Sequence, residues 1–96
     1  MKTYTDIKDL LRDTNQGERT VILPHEKFLE EIRTHHSKVF DGLRALSLKA
    51  PKQGVHATMV QAKNEAAYKL LTAILKESGA EYSLLGPKGK PMPPAA

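Results

Sequence analysis

The side chains best suited to bind a metal are the four histidines and the carboxylates near them. Glu31 and His35 are four residues apart, so on a helix they would share a face and supply two ligands. A zinc site needs three or four converging ligands, and His36 would point about 100° away from His35 on that helix. We therefore expect no metal site, and we interpret His36 as a packing residue.

Residue patterns for catalysis are equally weak. The four serines have no nucleophile motif around them, and residues 86–90 lack the Gly-Lys-Ser/Thr ending of a phosphate-binding loop. Glu26, Glu30 and Glu31 are typical of a solvated helix start, where the helix dipole favours negative charge. We expect a protein that is not an enzyme, with no catalytic residues and no cofactor.

Basic residues give the strongest functional signal. Residues 1–43 carry seven Lys and Arg against eight Asp and Glu, whereas residues 44–96 carry eight against three. This asymmetry favours an anionic partner, and cations bind nucleic-acid phosphates without needing a sequence motif. The predicted nucleic-acid-binding residues lie near a connection at residue 50 or in the C-terminal tail: Arg44, Lys49, Lys52, His56, Lys63, Lys88 and Lys90.

A protein-protein interaction module, such as an adaptor or a small inhibitor, is the alternative function. Aromatic residues make up only 5% of the chain, so base stacking on single strands is poorly supplied. A helical face could instead bind a protein, with Met59, Tyr68 and Tyr82 as anchors. The sequence thus leaves nucleic acid and protein open as partners, and a homo-oligomer is compatible with so short a chain.

The elements that would position these residues follow from hydrophobic periodicity. A short helix is predicted over 4–13 and a strand over 19–23. Apolar residues then recur at helical spacing over 28–46 and over 59–74, on either side of a connection at 50–57. This pattern predicts a mainly α fold, an antiparallel helical hairpin with a short N-terminal helix and one or two short strands, in which Leu70 and Ile74 face the core.

A second interpretation gives a different fold. Apolar residues also alternate over 46–50 and over 55–59, as in a β-hairpin. The chain would then run strand, helix, two strands, helix, strand, as in an α+β ferredoxin-like sandwich, and Gly42 would mark a helix end. The many Ala, Leu, Lys and Gln residues in both segments favour the helical alternative.

The sequence predicts one globular domain over 1–86 and a disordered Pro/Gly/Lys tail over 87–96. Cysteine is absent, and no apolar run is long enough to span a membrane. Met1–Leu11 is charged, unlike a signal peptide. We therefore expect a cytoplasmic protein with no membrane contact.

Overall fold

A computed structural model, which describes residues 1–94, has an α+β fold built on a six-stranded mixed sheet. The strands are β1 (Lys2–Tyr4), β2 (Thr20–Ile22), β3 (Leu43–Ala50), β4 (Val55–Ala62), β5 (Ser83–Leu85) and β6 (Pro91–Met92). The helices are α1 (Ile7–Asp13), α2 (Lys27–His35), α3 (Ser37–Phe40) and α4 (Glu65–Glu77), and a 3-10 turn at Pro51–Gln53 joins β3 to β4. The predicted mainly α helical hairpin is therefore wrong.

The segment 43–62 accounts for most of this difference. It forms a β-hairpin with eight antiparallel pairs, from Leu43 opposite Ala62 to Ala50 opposite Val55. Residues 46–48 are all buried, with Leu46 and Leu48 in the cluster that α1 covers. The alternation over 46–50 and 55–59 is that of these two strands, and pairing within the sheet overrides the intrinsic helix preference of Ala, Leu and Lys that favoured the helical alternative.

The order of elements from Thr20 to Leu85 is strand, helix, two strands, helix, strand, apart from the added short helix α3. Their strands lie in the order β3-β4-β2-β5, with every neighbouring pair antiparallel, as in a ferredoxin-like sheet. Strand β1 adds to the β3 edge in parallel, and β6 adds to the β5 edge. The second interpretation thus describes the middle of the fold, but it does not include β1, α1 packed on the sheet, or β6.

Helices pack on the hairpin from both faces of the sheet. Helices α2 and α4 cover one face, where Leu71 of α4 packs in the same cluster as Val60 of β4. Helix α1 covers the other face, where Leu10 packs with Met59 of β4. The side chains of β3 and β4 therefore alternate between the α2/α4 face and the α1 face.

Helix α4 buries a different face from the predicted one. Its core-facing residues are Ala67, Leu71 and Leu75, whereas Leu70 is 53% exposed. The helix begins after Asn64, whose Oδ1 accepts a hydrogen bond from the Ala67 N–H at 2.8 Å. Residues at three- and four-residue spacing occur on both faces of this helix, so periodicity alone did not identify the buried one. The prediction that Leu70 is buried is wrong.

Candidate nucleic-acid interface

The predicted basic residues of the hairpin lie at its two ends rather than together. Lys49 and His56 face each other across the strands beside the turn, and Lys52 lies in the turn. Arg44 lies near the opposite end, and Lys63 follows the last residue of β4. At a rise of about 3.4 Å per residue, Arg44 and Lys49 are about 17 Å apart along β3. We call the end near Lys52 the tip and the end near Arg44 the base.

At the base, Arg44 is held by the fold. Its guanidinium donates hydrogen bonds to both carboxylate oxygens of Asp13 at 3.3 Å and to Oε1 of Gln61 at 2.6 Å. Gln61 Nε2 in turn donates to the backbone carbonyls of Thr14 and Glu18, at 3.0 and 2.8 Å. These bonds tie the loop between α1 and β2 to the hairpin, so Arg44 has a structural role.

The electrostatics of Asp13 agree with this role. Burial acts to raise the pKa of Asp13, but the hydrogen bond and positive charge of Arg44, together with Lys2, lower the pKa below its ordinary value of 3.8. Lys2 Nζ lies 3.5 Å from Asp13 Oδ2. The carboxylate therefore stays charged at more acidic pH than an isolated one, and its single charge is shared between Arg44 and Lys2.

Arg19 and Lys63 are also engaged at the base. Arg19 Nε donates to a backbone carbonyl of β4 at 3.1 Å, and its NH1 group pairs with Glu18 at 2.8 Å. Lys63 Nζ donates to the backbone carbonyl of Asp41 at 3.1 Å. The structure therefore places Arg44 and Lys63, two of the predicted nucleic-acid-binding residues, away from the tip and in contact with the protein itself.

The tip extends past the neighbouring strands. Strand β1 pairs with β3 as far as Leu48, and β2 pairs with β4 as far as Met59. One further hydrogen bond, from the Leu23 N–H to the Thr58 carbonyl, measures 2.9 Å. Beyond these contacts, residues 49–57 form a two-stranded ribbon, closed by a turn in which Gly54 has a φ of +68°. A side chain at this position would be strained, which suits glycine to the end of the turn.

An open groove of about 600 Å³ lies beside the tip. Lys8 and Ile7 at the start of α1 line one side, and Pro51 and Lys52 line the other. Asp6 caps α1 by accepting a hydrogen bond from the Lys8 N–H at 2.9 Å, which fixes the start of the helix. The fold thus adds Lys8 to the tip. Sequence reasoning missed it because Lys8 lies in the half of the chain whose charges balance.

The turn that carries Lys88 and Lys90 packs against α1. The Gly86 N–H donates to the Lys90 carbonyl at 2.9 Å, and β6 pairs with β5. Gly89 approaches so closely that a Cβ there would lie 2.6 Å from Cγ1 of Ile7. Because Ile7 also lines the groove beside the tip, it connects this turn to the groove.

These contacts give residues 86–92 a defined place in the fold, although the sequence predicts a disordered tail over 87–96. Flexibility of this segment in solution stays a prediction, because a pairing of two residues at a sheet edge is compatible with fast opening. Ala95 and Ala96 lie outside the described residues.

The α2/α4 side of the sheet, which we call the helical layer, differs in charge from the rest of the chain. Residues 25–41 and 63–81, which include α2, α3 and α4, carry six Lys and Arg against seven Asp and Glu. The remaining residues carry nine against four. Of those four acidic residues, three are paired with basic side chains, and the fourth is the helix cap Asp6.

Subtracting these pairs from the basic part of the chain leaves a small set of cations. Outside the helical layer, and among residues 1–94, five lysines make no salt bridge, and we call them the unpaired lysines. They are Lys8, Lys49, Lys52, Lys88 and Lys90. All five are exposed, and four of them belong to the set predicted from the sequence.

The three residues predicted to anchor a protein partner do not form one surface. Met59 is 2% exposed and lies in the cluster on the α1 face, whereas Tyr82 is 8% exposed and lies on the α2/α4 face. Tyr68 is half-buried beside Tyr82, and burial, followed by Tyr82 and Glu65, raises the pKa of its hydroxyl. These side chains pack the protein interior.

Three negative findings complete the description of residues 1–94. No helix in this range has the length and apolar character needed to cross a membrane. No three His, Asp or Glu side chains in the range converge as metal ligands would. Comparison of the chain with protein-family models, with curated proteins and with solved structures gives no match.

Proposed function

We propose that this protein is a non-enzymatic binding protein whose unpaired lysines contact the phosphates of a nucleic acid. The observation that carries the proposal is the charge distribution: outside the helical layer the chain has nine Lys and Arg against four Asp and Glu, whereas the helical layer has six against seven. An ammonium group without an ion-pair partner can bind phosphate without breaking a bond inside the protein.

The groove beside the tip supports the same proposal. Lys8 and Lys52 line its opposite sides, and Lys49 lies at the same tip, on the α2/α4 face of β3. Ile7 and Pro51 also line the groove, as does Asp6, whose carboxylate caps α1 by accepting a hydrogen bond from the Lys8 N–H. Phosphate contacts of this kind set affinity and position without reading base identity. A nucleic-acid ligand also agrees with the expected cytoplasmic location.

The test is the salt dependence of binding, measured by fluorescence anisotropy with a labelled duplex. Counterion release lowers log affinity by about 0.9 per neutralised phosphate for each tenfold rise in salt. With three to five of the unpaired lysines in contact, the expected slope is roughly −3 to −5. Lys49→Ala/Lys52→Ala should reduce the slope by up to about two units and weaken binding about 60-fold at about 0.1 M salt.

The matched control is Lys27→Ala/Lys69→Ala, which removes the same charge from the helical layer. All four lysines are exposed, so neither double variant should change thermal stability. We expect the control to bind within about twofold of wild type, because its lysines lie on the balanced side of the molecule. Equal weakening by the two double variants, or no binding by wild type at low salt, contradicts the proposal.

A second candidate function, a protein-protein contact, is favoured by one observation. Leu70 on the outer face of α4 is 53% exposed, and Ala66 and Ala73 lie exposed beside it. Small residues allow another helix to approach closely, and an exposed leucine there can contact it. Sedimentation velocity tests self-association through this face: a dimer that Leu70→Asp dissociates supports it, and a monomer at high concentration contradicts it.

A further inference from the structure

We propose that the ligand is B-form duplex DNA and that the tip of the β3–β4 hairpin enters its major groove. This inference rests on the proposed function, because it names the class of nucleic acid that the same lysines contact. It uses observations that charge alone does not supply: the extent of the tip beyond the sheet, the exposure of its side chains and the burial of the aromatic residues.

The dimensions of the tip match those of the major groove of B-form DNA. Two paired strands are about 4.8 Å apart, and the major groove of B-DNA, about 12 Å wide, admits a two-stranded ribbon with its side chains. Beyond the residues paired with β1 and β2, the hairpin continues for two further pairs, Lys49 with His56 and Ala50 with Val55, and then the turn. Two residues contribute about 7 Å of length and the turn adds to it, which is enough to reach into a groove about 8.5 Å deep.

Both faces of this ribbon present exposed side chains. Lys49 and His56 continue the α2/α4 face of the hairpin, and Val55, which is 40% exposed, continues the α1 face. Lysine donates hydrogen bonds to guanine O6 and N7, and an apolar side chain such as valine packs on the thymine methyl group. On the α1 face the body of the protein covers Ala50 and partly covers Ala57, so the free surface of the tip consists of the turn, Val55 and the face of Lys49 and His56.

Lysines outside the hairpin complete the contact. Lys8 lies across the groove from Lys52, on the body of the protein, and Ile7 connects it to the turn of Lys88 and Lys90. With the tip in the major groove of the DNA, these lysines face the phosphates that border the major groove. Phosphate contacts of this kind fix the orientation of a binding element on the duplex.

The aromatic side chains argue against a single-stranded ligand. Proteins that bind single strands stack bases on exposed aromatic rings, each worth about 1–3 kcal/mol. Tyr4, Phe28 and Tyr82 are buried here, and Phe40 and Tyr68 are half-buried against the core. Duplex RNA is disfavoured for a different reason, because its major groove is deep and too narrow for side chains to read.

The experiment compares three labelled probes of equal length and sequence with the full chain at the same salt: duplex DNA, duplex RNA and single-stranded DNA. We expect duplex DNA to bind at least about tenfold tighter than either of the others. Equal affinity for all three, or a preference for RNA or single strands, overturns the inference and leaves the proposed function standing. No binding to any probe overturns both.

Dimethyl sulfate footprinting on the duplex supplies a second measurement, because the reagent methylates guanine N7 in the major groove and adenine N3 in the minor groove. We expect the protein to protect guanine N7 and to leave adenine N3 reactive. Wild-type protection that Lys49→Ala/Lys52→Ala removes, and that Lys27→Ala/Lys69→Ala retains, supports insertion of the tip. Protection of adenine N3 alone would place the protein in the minor groove and overturn the inference.

Discussion

At the base of the β3–β4 hairpin, the guanidinium of Arg44 bonds to Asp13 and Gln61, whereas at the tip Lys49 and Lys52 make no salt bridge within residues 1–94. Both ends contribute to the positive charge of the same hairpin. At the base, the guanidinium of Arg44 is engaged in hydrogen bonds that connect the hairpin to the loop after α1. At the tip, the positive charge remains available to a ligand.

This difference shows why net charge is a poor guide to a binding site. A basic residue whose charge is neutralised within the fold adds little to the attraction of an anion, and breaking its pair would cost the fold a bond. Two effects should therefore separate cleanly: substitutions at the base should change stability, and substitutions at the tip should change binding.

The largest expected effect concerns the core on which both ends depend. Leu71 is fully buried on the inner face of α4, so Leu71→Ala should lower the free energy of unfolding by about 2–5 kcal/mol. Leu70 on the same helix is 53% exposed, so Leu70→Ala should change it by less than about 0.5 kcal/mol. Urea denaturation measures both, and a larger cost at Leu70 would mean that α4 packs by its other face.

A smaller loss of stability is expected at the base. Gln61→Leu removes one acceptor from Arg44 and one of two donors from each of the backbone carbonyls of Thr14 and Glu18, which keep the Glu18 N–H and the Thr20 hydroxyl. The expected cost is about 1–3 kcal/mol of unfolding free energy, with DNA affinity changed by less than about twofold. A variant of normal stability but weakened binding would mean that the base takes part in the interface.

Single lysine substitutions at the two ends sharpen the comparison in binding. Lys52→Ala should weaken binding about eightfold at about 0.1 M salt, the value for one phosphate contact. Lys63→Ala should weaken it by less than about twofold, because Lys63 Nζ bonds to the Asp41 carbonyl and lies away from the tip. Anisotropy titrations at one salt concentration measure both, and equal losses would remove the distinction between the ends.

The smallest expected effect is the pH dependence of the Asp13 ion pair. Because the pKa of Asp13 in the folded protein lies below its ordinary value of 3.8, its charge stabilises the fold above that value. This contribution to stability is lost as the pH falls through the pKa that Asp13 has in the folded protein. Asp13→Asn should therefore lower Tm at neutral pH and approach the wild-type Tm in acid. A Tm difference that is constant from neutral pH to strongly acidic pH would contradict the pairing.

The sequence predicts some elements of this fold correctly and obscures others. The strand predicted over 19–23 is found at Thr20–Ile22, where β-branched residues precede a proline. The alternation over 46–50 and 55–59 gives the hairpin strands only as the second interpretation, because the many Ala, Leu and Lys residues of these segments favour helix. Strand β1 is missed because three residues at a sheet edge carry too short a pattern.

The candidate site is predictable in part for a similar reason. Lys49 and Lys52 lie beside the turn residues Pro51 and Gly54, so the sequence predicts that they are exposed at a connection between two elements. It does not reveal that Asp13 neutralises Arg44, since these residues are 31 positions apart and meet only after α1 packs on the sheet. Lys8 reaches the tip through the same packing. Pairing between distant residues therefore decides which predicted cations remain in the site.

The most direct test of the central claim is an NMR titration of the isotopically labelled protein with a short DNA duplex, followed by amide chemical-shift changes. We predict that the largest changes fall on residues 49–57, with smaller ones at Lys8 and in the turn that carries Lys88 and Lys90. The amides of the base around Arg44 and Gln61, and those of α2 and α4, should move little. Changes centred on the base or on the helical layer, with an unperturbed tip, would contradict the account.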